Sequence, residues 1–563
     1  MKKIIECVPN FSEGRDANVI REITDQIEAI DGVKLLNVDP GKATNRTVVT
    51  FVGEPEKVID AAFAAIKKAA EVIDMTKHSG EHPRMGATDV CPLVPVANVS
   101  MEEAAEYAQK LAKRVGEELN IPIYLYEAAQ KDPKRKNLSV IRAGEYEGFA
   151  AKIKKPEWKP DFGPAVFNER AGATVIGARD FLIAYNVNLN TKSVKRANSI
   201  AFDVREAGRL KREGDPISGK VVKDADGKPM RDPGKLKGVK GIGWYIDEYE
   251  IAQVSLNITR FKDTPLHQVF EECVNSATER GMRVTGSELI GLVPLSAMVD
   301  AGRYFLGKMK LSRGVSEKEL VHIAIKSMGL DELGEFDPQE RIIEYQLAKD
   351  ANTPLINMKL NDFTDETASD SPAPGGGSIS AYVGSLGASL ATMVANLSAI
   401  KKGWYDRWEE FSEYADAGQK LKVQLNAMVD EDTKSFNAIM DAFRMPKASE
   451  AVISARKKAI SDATKYAIQV PYQVMEISLE SMKLAKSMAE NGNPNSVSDA
   501  GVGALCCLTA VKGAFLNVKI NTADFDDSVF VDEMMKKGNA VEQEAIALER
   551  EIMEIVERKI KGE

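Results

Sequence analysis

Two textures follow one another along the chain. Up to about residue 340, short runs of β-branched and other apolar residues alternate with stretches whose apolar positions recur at helical spacing. IIECV, VKLLNV, TVVTFVG, IPIYLY and FLIAYNVNL have the length and composition of strands. Between them, EPEKVIDAAFAAIKKAAEVI and MEEAAEYAQKLAKRVGEEL carry the stripe of amphipathic helices. FLIAYNVNL follows a loop bearing glycine and proline and opens a second run, with GIGWYIDEY, IAQVSLNI and the helical HQVFEECVNSATERG. The pattern predicts two α/β subdomains, 1–180 and 181–340, each mixing sheet and helix. The polar, turn-rich segment 213–235 reads as an exposed excursion.

Residues 341–370 lose periodicity and end in NDFTDETASDSPAP, which predicts a linker. Beyond Gly375 strand signals nearly vanish and long amphipathic helices take over, so 371–563 reads as an all-α helical-bundle domain. The most apolar stretch, Ser380–Ile400, is rich in Gly, Ala and Ser. It reads as a closely packed interior helix, because a membrane span needs roughly 20 strongly apolar residues.

Composition narrows the class. Of 563 residues, 44% are hydrophobic and 28% charged, as in soluble globular chains. A net charge of −9 argues against nucleic acid or an anionic membrane as partner. No apolar run follows the two N-terminal lysines, so no signal peptide is expected. The five cysteines are scattered without a CxxC, which fits reduced interior thiols in a cytoplasmic protein. The Ala/Gly-rich helical domain suggests self-association into a homo-oligomer.

Only four histidines occur, and two of them lie within HSGEHPRMG. His78 and His82 have the HxxxH spacing of a helical metal site, but Gly80 and Pro83 make the segment a loop, so no metal is expected. The alternatives are a hydrogen-bonded structural turn and a general base. Glu81 and Arg84 flank His82, the first able to orient it and the second able to grip a carboxylate. The loop Asp161–Phe181 holds three glycines and a proline ahead of a strand, which makes either turns or a close approach to a ligand. VPNFSEG (8–14) and GKATNRTVV (41–49) place polar residues beside strands, where α/β proteins gather ligand contacts.

In the helical half, SPAPGGGSISA sets Gly375, Gly376, Gly377 and Ser378 at a helix start, where free N–H groups favour an anion or polar heterocycle. No GK[ST] follows, so no nucleotide site is expected. On LKVQLNAMVDEDTKSFNAIM, Leu421, Leu425, Met428, Phe436 and Ile439 form an apolar stripe centred on Asp432 at about 100° per residue. Asp430 falls on the opposite, solvated face and Glu431 on the flank. A carboxyl on a buried stripe has its pKa pushed up, which suits either acid/base catalysis or a buried hydrogen-bonded role.

These segments also resemble a known family. VPNFSEGRD, ATNRT, HSGEHPRMGATDVCP, IRAGEYE and DFGPAVF…GATVIGARDFLIAYNVNL look like glutamate formimidoyltransferase. SPAPGGGS with VDEDTKSFNAIM looks like formimidoyltetrahydrofolate cyclodeaminase, and the two occur fused in this order. The resemblance implies a cytoplasmic, bifunctional folate enzyme of histidine degradation. It takes the formimino group of formiminoglutamate onto tetrahydrofolate, the co-substrate in polyglutamylated form, and closes the product to 5,10-methenyltetrahydrofolate with loss of ammonia. It implies His82 as the transferase base and Asp432 as the cyclodeaminase catalyst. It also implies folate contacts along Gly163, Pro164, Ala165, Val166, Phe167, Asn168, Glu169, Arg170, Ala171 and Gly172. Arg84, Arg46 and Arg179 are candidates for the substrate carboxylates, and Asp39 for the amidinium or pterin. The helical domain also resembles methenyltetrahydrofolate cyclohydrolases, and a non-catalytic folate-binding or oligomerising module is the remaining alternative.

Overall fold

The computed structural model describes residues 3–42, 44–80, 82–214, 219–349, 353–523 and 525–562. The chain divides into two compact units, one of residues 1–300 with 325–349 and one of 301–324 with 350–563.

The first unit holds two sheets. Strands β1 (Ile4–Cys7), β2 (Asn10–Phe11), β3 (Val33–Gly41), β4 (Arg46–Gly53), β5 (Thr88–Ala97), β6 (Ile123–Glu127) and β7 (Thr174–Ala178) form a mixed sheet. β1 and β2 lie end to end between β4 and β5, β3 borders β4, and β7 runs parallel to both β5 and β6. Helices α1 (Ala17–Glu28), α2 (Pro55–Val72) and α3 (Met101–Glu118) cover one face. Each starts or packs as its sequence dictates. Asp16 caps α1, Ser100 and Glu103 form a capping box on α3, and α2 buries Val58, Ala62, Ala65, Ile66 and Ala69 on one stripe. Ile5, Cys7, Phe11, Phe51 and Cys91 meet that stripe.

Strand alternation turns Ile4 and Glu6 to the other face. There α4 (Leu138–Arg142) and α5 (Glu145–Lys152) bury Tyr124, Tyr126, Val90 and Val175, while α8 (Ile343–Ala348) places Ile343 on Leu36 and Val52.

The second sheet has the antiparallel order β9 (Val239–Ile246), β10 (Ile251–Ile258), β8 (Ile183–Leu189), β11 (Val284–Ile290), with α6 (Val194–Val204) and α7 (Leu266–Thr278). Tyr185, Val187 and Leu189 of β8 are fully buried. The alternate positions Asn186 and Asn188, buried with Gln253, join Glu288 and Glu332 in a hydrogen-bonded row that runs out to the surface. The 213–235 excursion is largely exposed and pairs in two-residue strands, and its residues 215–218 lie outside the described ones.

The second unit is built on α9 (Gly376–Ala399), α10 (Trp408–Arg444), α11 (Glu450–Asn491), α12 (Val497–Thr522) and α13 (Ser528–Ile560). By length and composition, Gly376–Ala399 and Pro494–Thr522 could each cross a membrane, yet α9 buries most of its residues among α10, α11 and α12. Small residues set that approach. A Cβ on Gly387 would lie 2.6 Å from the Gly503 carbonyl, and one on Gly384 2.7 Å from Ser478 Oγ. Of the hydroxyls on α9, Ser389 donates to Ser385 O, Thr392 to Ala388 O and Ser398 to Val394 O within the helix, while Ser378 and Ser385 reach across to α10. Pro471 inside α11 cannot donate to Ala467 O, and Asn521 Nδ2 of α12 takes that carbonyl at 2.8 Å.

Three expectations change. Residues 341–370, read as a linker, contain α8 in the first unit and, in the second, a turn at 354–357 and a helix, Leu360–Thr367, with only 350–352 outside the described residues. One- and two-turn elements are too short to show periodicity. Asp430, expected on a solvated face, is 3% exposed and accepts the Leu355 and Ile356 N–H groups at 3.0 and 3.1 Å. That same packed segment covers it. Conversely Phe436, placed on the buried stripe, is 46% exposed, because the inward line of α10 runs through Phe411, Ala415, Gly418, Leu425, Val429 and Ser435.

Candidate active sites

Three separated motifs are knitted around the histidine loop. Asn45 of ATNRT accepts the Gly14 N–H and donates to Ser79 O, Thr47 donates to Glu13 O, and Ser12 donates to Gly86 O. Gly80 lies against Thr44 O, where an added Cβ would sit at 2.3 Å. Glu81 lies outside the described residues.

Hydrogen bonding separates the two histidines. Arg84 Nε donates to His78 Nδ1 at 3.1 Å, so the ring proton is on Nε2, which donates to Asn45 O at 2.9 Å. Both nitrogens of His78 are therefore committed. His82 Nδ1 lies 2.8 Å from Pro83 O; a carbonyl only accepts, so Nδ1 carries the proton and Nε2 presents a lone pair. Burial, then Arg46 and Arg142, hold the His82 pKa down at about 4, so the ring is neutral at pH 7.

The charges beside it are organised by Asp89, which is fully buried. Arg46 Nη1 donates to its Oδ2 at 2.6 Å, Arg142 donates through Nη2 and Nε, and Met85 N–H reaches Oδ1 at 2.9 Å. The two guanidiniums outweigh the burial cost and hold the Asp89 carboxyl below its usual range. Arg46 also donates to Asn10 at 3.0 Å.

Arg84, by contrast, spends its fork on Glu147 (2.7 and 3.0 Å) and Glu145 (3.3 Å). It builds the loop rather than presenting a free cation. Arg179 bonds the Asp180 carbonyl and stands beside Tyr126 and buried Glu6. Asp39 on β3 faces Arg341, with burial raising its pKa against that charge, and is not among the groups acting on His82.

The 163–172 loop is anchored at both ends. Gly163 (φ 80°) packs on Ile121 O and Gly172 (φ 69°) on Met85 O, at positions where any Cβ would clash. Asn168 Oδ1 accepts the Ala171 N–H, Arg170 donates to Glu71 O, and Glu169 O accepts from Tyr146. Phe167 packs on Tyr146 and Phe149, with Pro164 and Ala165 between the anchored glycine and Val166, which is 67% exposed.

In the second unit, Asp432 of α10 meets the start of α9. Its Oδ2 accepts Ser378 N–H at 3.0 Å, while Ser378 Oγ donates to Val429 O at 2.7 Å. A Cβ on Gly377 would sit 2.0 Å from Asp432 Oδ1, so glycine is what admits the carboxylate. Gly376 lies near Asn517, and Gly375 is the helix N-cap. Burial raises the Asp432 pKa, opposed by the Ser378 bonds.

Asp89, Arg142, Glu6 and Tyr126 were not picked out from the sequence. Asp89 and Arg142 do lie inside HSGEHPRMGATDVCP and IRAGEYE, but their pairing across 53 positions exists only in the fold.

Family models match residues 4–179 (formiminotransferase domain, N-terminal subdomain), 184–348 (formiminotransferase domain) and 359–540 (formiminotransferase-cyclodeaminase). A formimidoyltransferase-cyclodeaminase of Dictyostelium discoideum is 43% identical over 99% of both chains. A glutamate formimidoyltransferase of Thermoplasma acidophilum is 44% identical, covering 54% of this chain and 92% of its own. A methenyltetrahydrofolate cyclohydrolase of Methylorubrum extorquens is 35% identical, covering 36% of this chain and 98% of its own.

Proposed function

Because the chain belongs to the formimidoyltransferase-cyclodeaminase family, we propose that His82 and Asp432 catalyse two successive steps on one folate. In the first, tetrahydrofolate N5 attacks the formimino carbon of formiminoglutamate. His82 Nε2 takes the N5 proton, and the glutamate nitrogen leaves with a proton, giving 5-formimidoyltetrahydrofolate and glutamate. The observation that carries this assignment is the free Nε2 of His82 against the fully committed ring of His78. A substrate carboxylate beside Arg46 and Arg142 offsets their charge and raises the basicity of His82 toward its working range. The 163–172 loop and Arg179 supply further folate and carboxylate contacts.

In the second step N10 attacks the same carbon. Asp432 carries the N10 proton to the amino group, ammonia leaves, and the methenyl cation forms with net uptake of one proton. A half-buried carboxyl with a raised pKa suits that transfer, and the helix start at Gly375–Gly377, ahead of the Ser378 N–H that Asp432 holds, supplies N–H groups for the polar heterocycle. The formimino carbon arrives as an activated amidine, so the chemistry calls for neither metal nor nucleotide. Tetrahydrofolate, in polyglutamylated form, is the co-substrate. A cytoplasmic location fits the free, scattered cysteines, and a homo-oligomer is supported by exposed Leu386, Met393, Leu397, Leu505, Leu516 and Ile520 on α9 and α12.

The test mixes the full chain with formiminoglutamate and tetrahydrofolate and follows methenyl absorbance alongside ammonia. Equal yields of both are expected. 5-Formimidoyltetrahydrofolate accumulating without ammonia overturns the second step, and hydrolysis of added methenyltetrahydrofolate in its place marks a cyclohydrolase.

A further inference from the structure

Lys152, at the end of α5, is 9% exposed, and its ammonium meets main-chain carbonyls. Nζ donates to Val140 O at 3.1 Å, Ile141 O at 2.6 Å and Ala143 O at 2.9 Å, using all three protons, and lies 3.8 Å from the Trp158 ring centroid. Burying an ammonium is costly, and a methionine would fill the same space without that cost. What the charge gains is the end of α4, a five-residue helix where Val140 O accepts the Ala143 N–H at a long 3.4 Å and Lys152 adds a shorter donor there and one each to Ile141 O and Ala143 O. Those three carbonyls bracket Arg142.

Arg142 in turn clamps Asp89, which holds Arg46 and the Met85 N–H. The groups acting on the His82 ring are Arg46 from β4, Arg142 from α4, Asp89 from β5 and the Pro83 carbonyl. We propose that Lys152 is a positioning residue for formimino transfer, fixing Arg142 on Asp89 and through it the charge around His82. The proposal rests on His82 being the base.

The experiment measures transferase kcat/KM against pH in the full chain for Lys152→Met, Arg142→Met and the double variant, with cyclodeamination of 5-formimidoyltetrahydrofolate as the control for folding. Lys152→Met is expected to lower transferase kcat/KM about 10-fold or more and to move its acid limb to higher pH, because the cation that disfavours His82 protonation drifts away. Arg142→Met alone is expected to produce the same upward movement. In the Arg142→Met background, Lys152→Met is expected to cost less than about two-fold more, since the two act through one another. An equal loss in both backgrounds, or an acid limb that stays in place in Arg142→Met, overturns the proposal. Should Lys152→Met fail to fold, the Arg142→Met profile still decides it. His82→Ala run in parallel separates the two layers: full transferase turnover there removes the base assignment, whatever Lys152→Met does.

Discussion

His78 and His82 share a loop, yet their hydrogen bonds leave only one of them with a lone pair to offer, and the same logic of partners applies to the carboxyls. Glu6 is 3% exposed on β1, beside Arg179 and Glu344. Burial is the main cause raising its pKa from 4.5 to about 7, with Arg179 opposing and Glu344 adding to the rise. Between those values the folded chain holds a proton that the unfolded chain has released, so stability contributed at low pH is lost as pH rises through about 7. Replacing Glu6 with Gln removes the titration. The variant's gain over the parent is therefore expected to be small at pH 5 and largest at pH 8, reaching roughly 3 kcal/mol at most. Thermal midpoints of both proteins across that range check it; a gap independent of pH would show that Glu6 does not titrate there.

At the scale of elements, the helical unit depends on small side chains and on repairs between helices. Pro471 breaks the bonding ladder of α11 and Asn521 of α12 closes the gap at Ala467. Asn521→Leu leaves a buried carbonyl without a partner, which costs about 1–3 kcal/mol. The expected reading is a lower thermal midpoint for the helical unit, with transferase activity intact at 25 °C. In the α/β unit the comparable device is the pair of glycines, Gly163 and Gly172, whose positive φ values let the 163–172 loop lie against Ile121 and Met85.

For the whole molecule, the two reactions belong to two compact units on one chain, with His82 and Asp432 in different units. His82→Ala is expected to abolish ammonia release from formiminoglutamate while leaving cyclodeamination of supplied 5-formimidoyltetrahydrofolate. Asp432→Asn is expected to do the reverse, accumulating that intermediate. Mixing the two variants should restore the full reaction after a lag, as the intermediate crosses through solution. No restoration would mean that one substitution damages both units.

Hydrophobic patterning by itself determined the α/β half, the all-helical half and the order of most strands and helices, because burial imposes a period of 2 or 3.6 on any element several turns or residues long. Residue content brought both catalytic candidates into view: HSGEHPRMG concentrates two of four histidines, and Asp432 stands on an apolar stripe that the fold redraws through Leu425, Val429 and Ser435, with Phe436 exposed. The tertiary structure decided what local pattern does not encode. Which histidine keeps a free nitrogen depends on Arg84, Asn45 and Pro83. Whether Arg84 is a substrate cation or a loop brace depends on Glu145 and Glu147. Asp430 is buried because a short segment, too brief to carry a period, folds over it. Charges and hydrogen bonds act over a few ångströms in space and at any separation in sequence, so their partners appear only once the chain has folded.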